Sequence, residues 1–594
     1  MNLTTSIRER VRKWMPLEDL LPDRLPAFVR SPAYFFGVIT LSSLVLLIIT
    51  GMILSAFGPQ WWHDSGVGRF VNGIHFWSSQ AFFFALTLHL WTEFFKGSWR
   101  HGRRWTWVTG ALLFVGGIGT AFTGYLSQTN FDAQWIAVSA KDALNGVMIG
   151  AFFNVMNFGQ MYGFHVIILP LFLALLVAVH LVQVRIRGVV RPYALDIATE
   201  RAREERWGGK LGRGWSSWFS GRRQAKKAAG VTTQEQALAS DQVRYYAGIR
   251  MMPYDLIREG LLALALVAVV SVVLAAVLSS PDDPPVTIQQ YAQEKPVDFV
   301  TTATAEISGT SILAQYGPPY NDGTDSVQYV GPLSLQRIGG ITHPINTAQT
   351  YVLEPLTIAA QSDPVLATDL KTFAGAGADQ QTKWEDAYVT ALGTATEDKG
   401  QLVVPAGDYG PYGTMMNRLL GMATSGALDG ILLRSKGFYQ NDFTRPLLFL
   451  AEGALPDKAE AANLLGSQWG MMNETHNYPG QSWLWLYTMW YQVPPFSTTA
   501  AANADVLVWA LMAGLTLLLV IFPFIPFLNR LPFRLGVHRL IWRDYYRDVR
   551  GTTTKDPTTG AAAGDMVAGA SDATTSAKSV LPPATIDPAA ESTG

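Results

Sequence analysis

The stretches NGIHFWSSQAFFFALTLHLWTEFF (72–95) and FGQMYGFHVIILPLFLALLVAVHLVQV (158–184) decide the fold. Each is apolar over a length sufficient to cross a bilayer as a helix, and each carries two histidines: His75 and His89 in the first, His165 and His180 in the second. The first pair is 14 residues apart and the second 15. At about 1.5 Å rise per residue, both separations come to roughly 21–22 Å, most of the ~30 Å hydrocarbon core. Fourteen residues is two heptads, so in a left-handed bundle both histidines of a pair face the same way. Fifteen overshoots by about a quarter turn, and Pro170, between His165 and His180, is placed to absorb it by kinking its helix. Ionisable side chains at bilayer depth are costly and usually functional. The pattern predicts two b-type haems stacked across the membrane, each held by one histidine from each helix.

Glycines give a second signal. Gly37 and Gly51 lie 14 residues apart in the apolar run 33–57, and Gly110 and Gly124 in the run 105–127. With alternating helix directions, Gly37 and Gly110 fall at the depth of His89 and His180, and Gly51 and Gly124 at the depth of His75 and His165. A missing side chain lets a flat macrocycle approach the backbone, although glycine is also common in membrane helices for packing alone.

The 594-residue chain is 49% hydrophobic, with long uncharged runs alternating with polar blocks, as in an integral membrane protein with soluble appendages. It has no cysteine. That excludes disulfides, cysteine-ligated iron–sulfur clusters and covalent c-type haem attachment within this chain. No cleavable signal peptide is apparent, because the first apolar run begins only near Ala33.

Residues 1–32 read as an amphipathic interfacial segment, with Ile7, Val11, Trp14 and Met15 on one side. The four-helix core then occupies 33–184. A loop at 185–257 follows; 184–257 holds 14 Lys/Arg against 7 Asp/Glu, which places it in the cytoplasm. A fifth span (258–280) leads to a segment at 281–504 with 10 Lys/Arg against 22 Asp/Glu, suited to the opposite face. A sixth span (505–528) returns the chain to a cytoplasmic tail (529–594), expected to be disordered from about 551 because it is Thr/Ala/Gly-rich. The expectation is an all-α multi-pass protein of the cell (inner) membrane with both termini cytoplasmic: a four-helix haem-binding bundle, two further transmembrane helices, and a mainly helical extracytoplasmic insertion.

The residues carrying these features resemble the cytochrome b family of Rieske/cytochrome b (bc- and bf-type) complexes. The matching stretches are GVITL (37–41), HFWS and TLHL around His75 and His89, TWVTG (106–110), TGY (123–125) and FHVIILP (164–170). The resemblance implies that His75 and His165 ligate an outer, low-potential haem and His89 and His180 an inner, high-potential one. It also implies a quinone/quinol substrate, a separate Rieske-type iron–sulfur or cytochrome c subunit, a lipid environment and a homodimer; no feature suggests nucleic acid. Arg185, Gly188 and Pro192, with Pro253-Tyr254-Asp255, resemble the family's inner quinone site, where Asp255 beside Arg185 is a candidate proton relay. The alternative is that Arg185 and Arg187 are positive-inside anchors and Asp255 a helix cap.

The sequence departs from the family in four places. The outer-site Pro-Glu-Trp-Tyr motif has as its nearest counterpart Pro479-Gly480-Gln481-Ser482-Trp483, without the carboxylate; Glu474 and His476 are candidate substitutes. The Pro-Trp that usually follows the third helix's Gly-Tyr is replaced around Ser127-Gln128. Asn72 and Gln160 stand where the family has propionate-binding arginines, with Arg69 the one nearby cation, and Phe35 stands where bf-type proteins carry the cysteine of a covalent third haem, so no covalent haem is expected. Residues from about 285 to 477 have no family counterpart; His343 and His476 are their only histidines, too few for a metal or haem site there. The leading reading is a transmembrane electron wire, catalytic as a subunit of a quinol-oxidising complex. The alternatives are a haem-containing anchor for a different extracytoplasmic oxidoreductase, without outer-face quinol oxidation, and a haem-free scaffold.

Overall fold

The computed structural model describes residues 4–5, 24–146, 149–150, 152–208, 245–315, 329–334, 345–398, 401–433, 442–465 and 472–554. Most of the amphipathic 1–32 segment, the middle of the basic loop, His343 and the tail beyond 554 lie outside them. Contacts divide the chain into a body of residues 1–541 and a second unit beginning at Trp542, whose described part is the helix Arg543–Thr554.

The body is built on six long helices: α1 (Phe35–Phe57), α2 (Gly66–Lys96), α3 (Arg104–Leu126), α4 (Phe158–Arg187), α5 (Leu256–Leu278) and α6 (Ala504–Ile521). Five of them are long and apolar enough to cross a membrane, which makes this a multi-pass membrane protein. The exception is α2. At 31 residues it is the longest, but its polar side chains turn inward. Buried Asn72 and Ser78 face neighbouring helices while Phe84 and Trp91 point outward. The expectation of six apolar spans thus becomes five, plus one long helix whose polar face is sequestered.

Small side chains set the packing of α1, α2 and α5. Ser78 donates to Ser271 Oγ at 3.1 Å, Gly73 lies against Ala275, and Ser43, Ala263 and Ser271 are fully buried. Close backbone approach of this kind is how helices associate in lipid. On the other side α3 packs on α4, where Gly116 receives Leu173 and Phe172, and α6 packs on α3, with Trp107 Nε1 donating to the Leu519 carbonyl at 2.8 Å.

The extra residue between His165 and His180 is taken up one turn before Pro170. Phe164–Ile168 forms a π-turn, and His165 sits inside it. A π-turn spends one residue more than an α-turn, which brings a 15-residue spacing back into step with 14.

Between α5 and α6, short helices including Pro296–Ser308, Ala378–Leu392 and Tyr412–Thr424 enclose a core of Phe299, Tyr351, Tyr388, Tyr412, Met415 and Phe449. This core is continuous with Phe131 and Met156 on the α3–α4 connection and with Met161 in the first turn of α4. Gln134 fastens the two by exchanging hydrogen bonds with the Val286 backbone, 2.9 Å each way. The insertion therefore sits at the end of the bundle where α1 and α3 finish and α2 and α4 begin.

Candidate functional site: two histidine-lined cavities

Two cavities open within the bundle, one near each end. The cavity at the insertion end, about 290 Å³, is lined by His75, His165, Gly51 and Gly124; the far cavity, about 970 Å³, by His89, His180, Gly37 and Gly110. The structure thus brings together each predicted histidine pair and places the predicted glycines with it.

His75 and His165 face each other, ring centroids 6.2 Å apart and planes at 86°. Metal–imidazole bonds of about 2 Å on both sides of one ion, plus roughly 1 Å from each nitrogen to its ring centre, require a spacing of about 6 Å. The distal nitrogens are held to match. Thr50 Oγ1 lies 2.8 Å from His75 Nδ1 while its own hydroxyl donates to the Leu46 carbonyl, so it accepts the Nδ1–H. His165 Nδ1 donates to the Thr120 carbonyl at 2.9 Å, and His180 Nδ1 is 3.0 Å from Thr109 Oγ1. Each bond fixes the tautomer that leaves Nε2 bare for a metal. His89 differs: its Nδ1 is buried without a partner, 3.7 Å from Glu93 Oε1.

The glycines lie directly against the imidazoles. A Cβ on Gly37, Gly51 or Gly110 would lie 3.0, 3.3 or 3.2 Å from Cε1 of His89, His75 or His180, and one on Gly124 only 2.3 Å from Cε1 of His165. Each notch accepts one histidine ring.

The two cavities differ in charge. Arg30, Arg103 and Arg185 line the far cavity with Glu93 and Glu259, and no lysine or arginine is among the residues lining the other. Asn72 and Gln128 bond each other there through their amides at 3.0 and 3.2 Å. Gln160 is turned away, accepting from Asn154 N at 2.8 Å, and Arg69 donates to the His63 carbonyl at 3.0 Å.

Asp255 does not line the far cavity. It caps α5, accepting from Arg258 N at 3.2 Å and from the Thr4 hydroxyl at 2.6 Å. The carboxylate facing that cavity from α5 is Glu259, one turn further on and beside Tyr254. Sequence reasoning passed over Glu259, though its position four residues after a cap marks it as pointing along the same side of the helix.

At the insertion end, Glu474 and His476 separate. Glu474 is 2% exposed and lines the cavity. Its Oε1 accepts from the Gln481 side chain at 2.7 Å, and its Oε2 is buried with no partner. Burial, with Asp132 nearby, pushes its carboxyl up to about 8. His476 lies outside the cavity lining, 61% exposed, 3.4 Å from Asp283. The strands Asn473–Glu474 and Tyr478–Pro479 pair antiparallel across the turn that carries it. Gly480 explains the altered motif: its N–H donates to the Met472 carbonyl at 2.7 Å, and a Cβ would lie 2.7 Å from that backbone. No side chain fits there; the carboxyl that lines the cavity, Glu474, lies on the opposite strand.

These features define an all-α membrane protein with two cavities, each lined by a pair of histidines. Residues 80–285 match the family model described as cytochrome b (N-terminal)/b6/petB, a span that includes His89, His165 and His180. Cytochrome b6 of Heliobacterium mobile is 25% identical over 197 residues, 30% of this chain and 92% of that protein. The menaquinol:cytochrome c reductase cytochrome b subunit of Geobacillus thermodenitrificans is 26% identical over 182 residues, 27% of this chain and 81% of that protein. A solved hyperthermophilic respiratory Complex III aligns over 58% of this chain and 96% of its own at 16% identity, with a TM-score of 0.28, too loose to define a shared fold. Residues 80–285 are thus similar to a cytochrome b domain of the b6 type, and nearly all of the insertion lies outside the matched span.

Proposed function

We propose that this chain is a di-haem cytochrome b subunit that moves electrons across the membrane between the quinone/quinol pool and a separate redox protein on the insertion side. The observation that carries the reading is the His75–His165 pair, with centroids 6.2 Å apart and Nδ1 atoms tied to Thr50 and to the Thr120 carbonyl. His75 with His165, and His89 with His180, would hold haem b irons. Bound haem would supply one-electron exchange, and with both histidines of a pair holding the iron it would be suited to electron transfer rather than oxygen chemistry.

The chain's own groups arrange the rest. At the far end Arg185, Tyr254 and Glu259 line the cavity and would orient a quinone and deliver protons to it. At the insertion end Glu474 presents an unpartnered carboxyl oxygen to the cavity and would take a quinol proton. The lysine- and arginine-free lining there would favour the oxidised form of a haem held by His75 and His165, and so would bias electrons toward the far site. The insertion end is taken as extracytoplasmic, from the acidic charge balance of 281–504. The relationship to a menaquinol:cytochrome c reductase subunit supports quinol as donor and a cytochrome c as partner; a Rieske-type subunit and a homodimer rest on the family resemblance of the sequence alone.

The test is anaerobic mixing of the purified oxidised protein with a short-chain menaquinol, followed at the α-band. Reduction that is inhibited by Glu474→Gln supports the outer reaction. Reduction indifferent to Glu474, but lost in Glu259→Gln, assigns quinol chemistry to the far end alone and rejects it.

A further inference from the structure

A carboxyl buried at the bottom of a cavity accepts one proton and then must lose it. Three titratable side chains lead outward from Glu474. Thr475, the next residue, is gripped by Asp132: the Thr475 N–H donates to Oδ1 at 3.0 Å and its hydroxyl to Oδ2 at 2.6 Å. Asp132 is 3% exposed, and burial raises its carboxyl above the usual range, with Asp283 adding to the rise and Thr475 and His476 opposing it. The preceding residue is tied to the third carboxylate, since Phe131 N donates to the Asp283 carbonyl at 2.9 Å. Asp283 pairs with Lys458 at 2.6 Å and with His476 at 3.4 Å.

His476 is held outward by backbone geometry. It and Asn477 have φ of 59° and 60°, left-handed conformations that histidine and asparagine tolerate better than most residues. Strain of this kind persists where the surroundings impose it. The charged groups facing this string are Lys458, whose ammonium also lies 4.5 Å from the centre of the Phe131 ring, and, beside Asp283, Asp282, which bonds His63 at 2.8 Å and lies 3.7 Å from Arg69.

We propose that Asp132, Asp283 and His476 form a proton exit relay connecting the cavity carboxyl of Glu474 with solvent on the insertion side. This rests on the reading of Glu474 as the acceptor of a quinol proton. The residues span three separate segments: the α3–α4 connection, the exit of α5, and the hairpin before α6. The proton passes from Glu474 to Asp132, on to Asp283 and His476, and leaves as hydronium or on buffer, with water bridging steps longer than a hydrogen bond. No electron moves along it. The segment between α5 and α6 thereby supplies the carboxyl that the motif position excludes and, together with Asp132 of the α3–α4 connection, that carboxyl's outlet.

The experiment follows hydrogen–deuterium exchange of the Glu474 carboxyl by infrared spectroscopy on the full-length protein in lipid nanodiscs at pH 6. The band is assigned by its loss in Glu474→Gln. On mixing with D₂O, Asp132→Asn, which keeps the shape and the bond to Thr475 N, should slow the band's shift by at least about tenfold. His476→Gln, altering an exposed residue, should slow it severalfold and recover with added imidazole. Wild-type exchange rates in either variant, a His476→Gln defect indifferent to imidazole, or no protonated band at pH 6 would overturn the relay. Because this readout uses no quinol, a failure of outer quinol oxidation appears separately, as a wild-type haem that quinol does not reduce.

Discussion

Replacing Gly124 by alanine should empty one haem site and spare the other. The added Cβ would lie 2.3 Å from His165 Cε1, 2.7 Å from Nδ1 and 2.9 Å from Nε2, roughly 1 Å inside carbon–carbon contact. The ring cannot yield without leaving the Thr120 carbonyl, 2.9 Å from Nδ1. Overpacking of this size costs about 1–3 kcal/mol, and the lost hydrogen bond adds about 1. Together that is on the order of 2–4 kcal/mol, or roughly 30- to 1,000-fold in affinity at that site. Gly51, whose Cβ would sit 3.3 Å from His75, faces the same cavity with far less overlap. A pyridine haemochrome count should therefore give one haem per chain in Gly124→Ala, with two kept in Gly51→Ala. Two haems with unchanged spectra in Gly124→Ala would refute the claim that the notch exists for the imidazole.

Three further outcomes are expected. The three arginines and two glutamates lining the far cavity leave one net positive charge, worth about 1.7 kcal/mol at ~10 Å and an effective dielectric near 20, or roughly 70 mV for one electron; redox titration should place the insertion-end centre lower, with Arg185→Gln narrowing the gap. Asp255→Ala should cost about 1 kcal/mol of stability by uncapping α5 and leave the far-end haem spectrum alone, whereas quinone reactivity lost without destabilisation would return Asp255 to the relay. Glu306, buried in the insertion with one oxygen unpartnered, is pushed up to about 7 by burial. The folded state then holds a proton that the unfolded chain releases above about pH 4.5, so stability falls as pH rises from there through 7; thermal melts at pH 5 and 8 should show a gap that Glu306→Gln closes.

The histidine and glycine pairings were legible because membrane helices impose a rigid period, so equal spacings in two segments translate into equal depths. The same rigidity made the extra residue before His180 visible, although only the structure shows a π-turn, not a kink at Pro170 alone, absorbing it. Groups fixed by tertiary approach were not legible. Glu474 reaches the cavity because a hairpin folds it opposite Tyr478 and beside Gln481, and nothing local distinguishes it from His476 two residues on. Asp255 and Glu259 are separated by one helical turn, and which of them faces the cavity depends on how α5 packs against α1 and α2. The insertion reads as mainly helical from its Ala- and Leu-rich runs, but its attachment to the α3–α4 connection through Gln134 and Val286 carries no sequence period.

The most direct measurement is a dithionite-reduced minus ferricyanide-oxidised spectrum of the purified chain, with haem quantified per polypeptide. Two low-spin b-type haems, falling to one in His75→Ala and to one of the opposite potential in His89→Ala, are the predicted result. A colourless protein, or two haems surviving both substitutions, would contradict it.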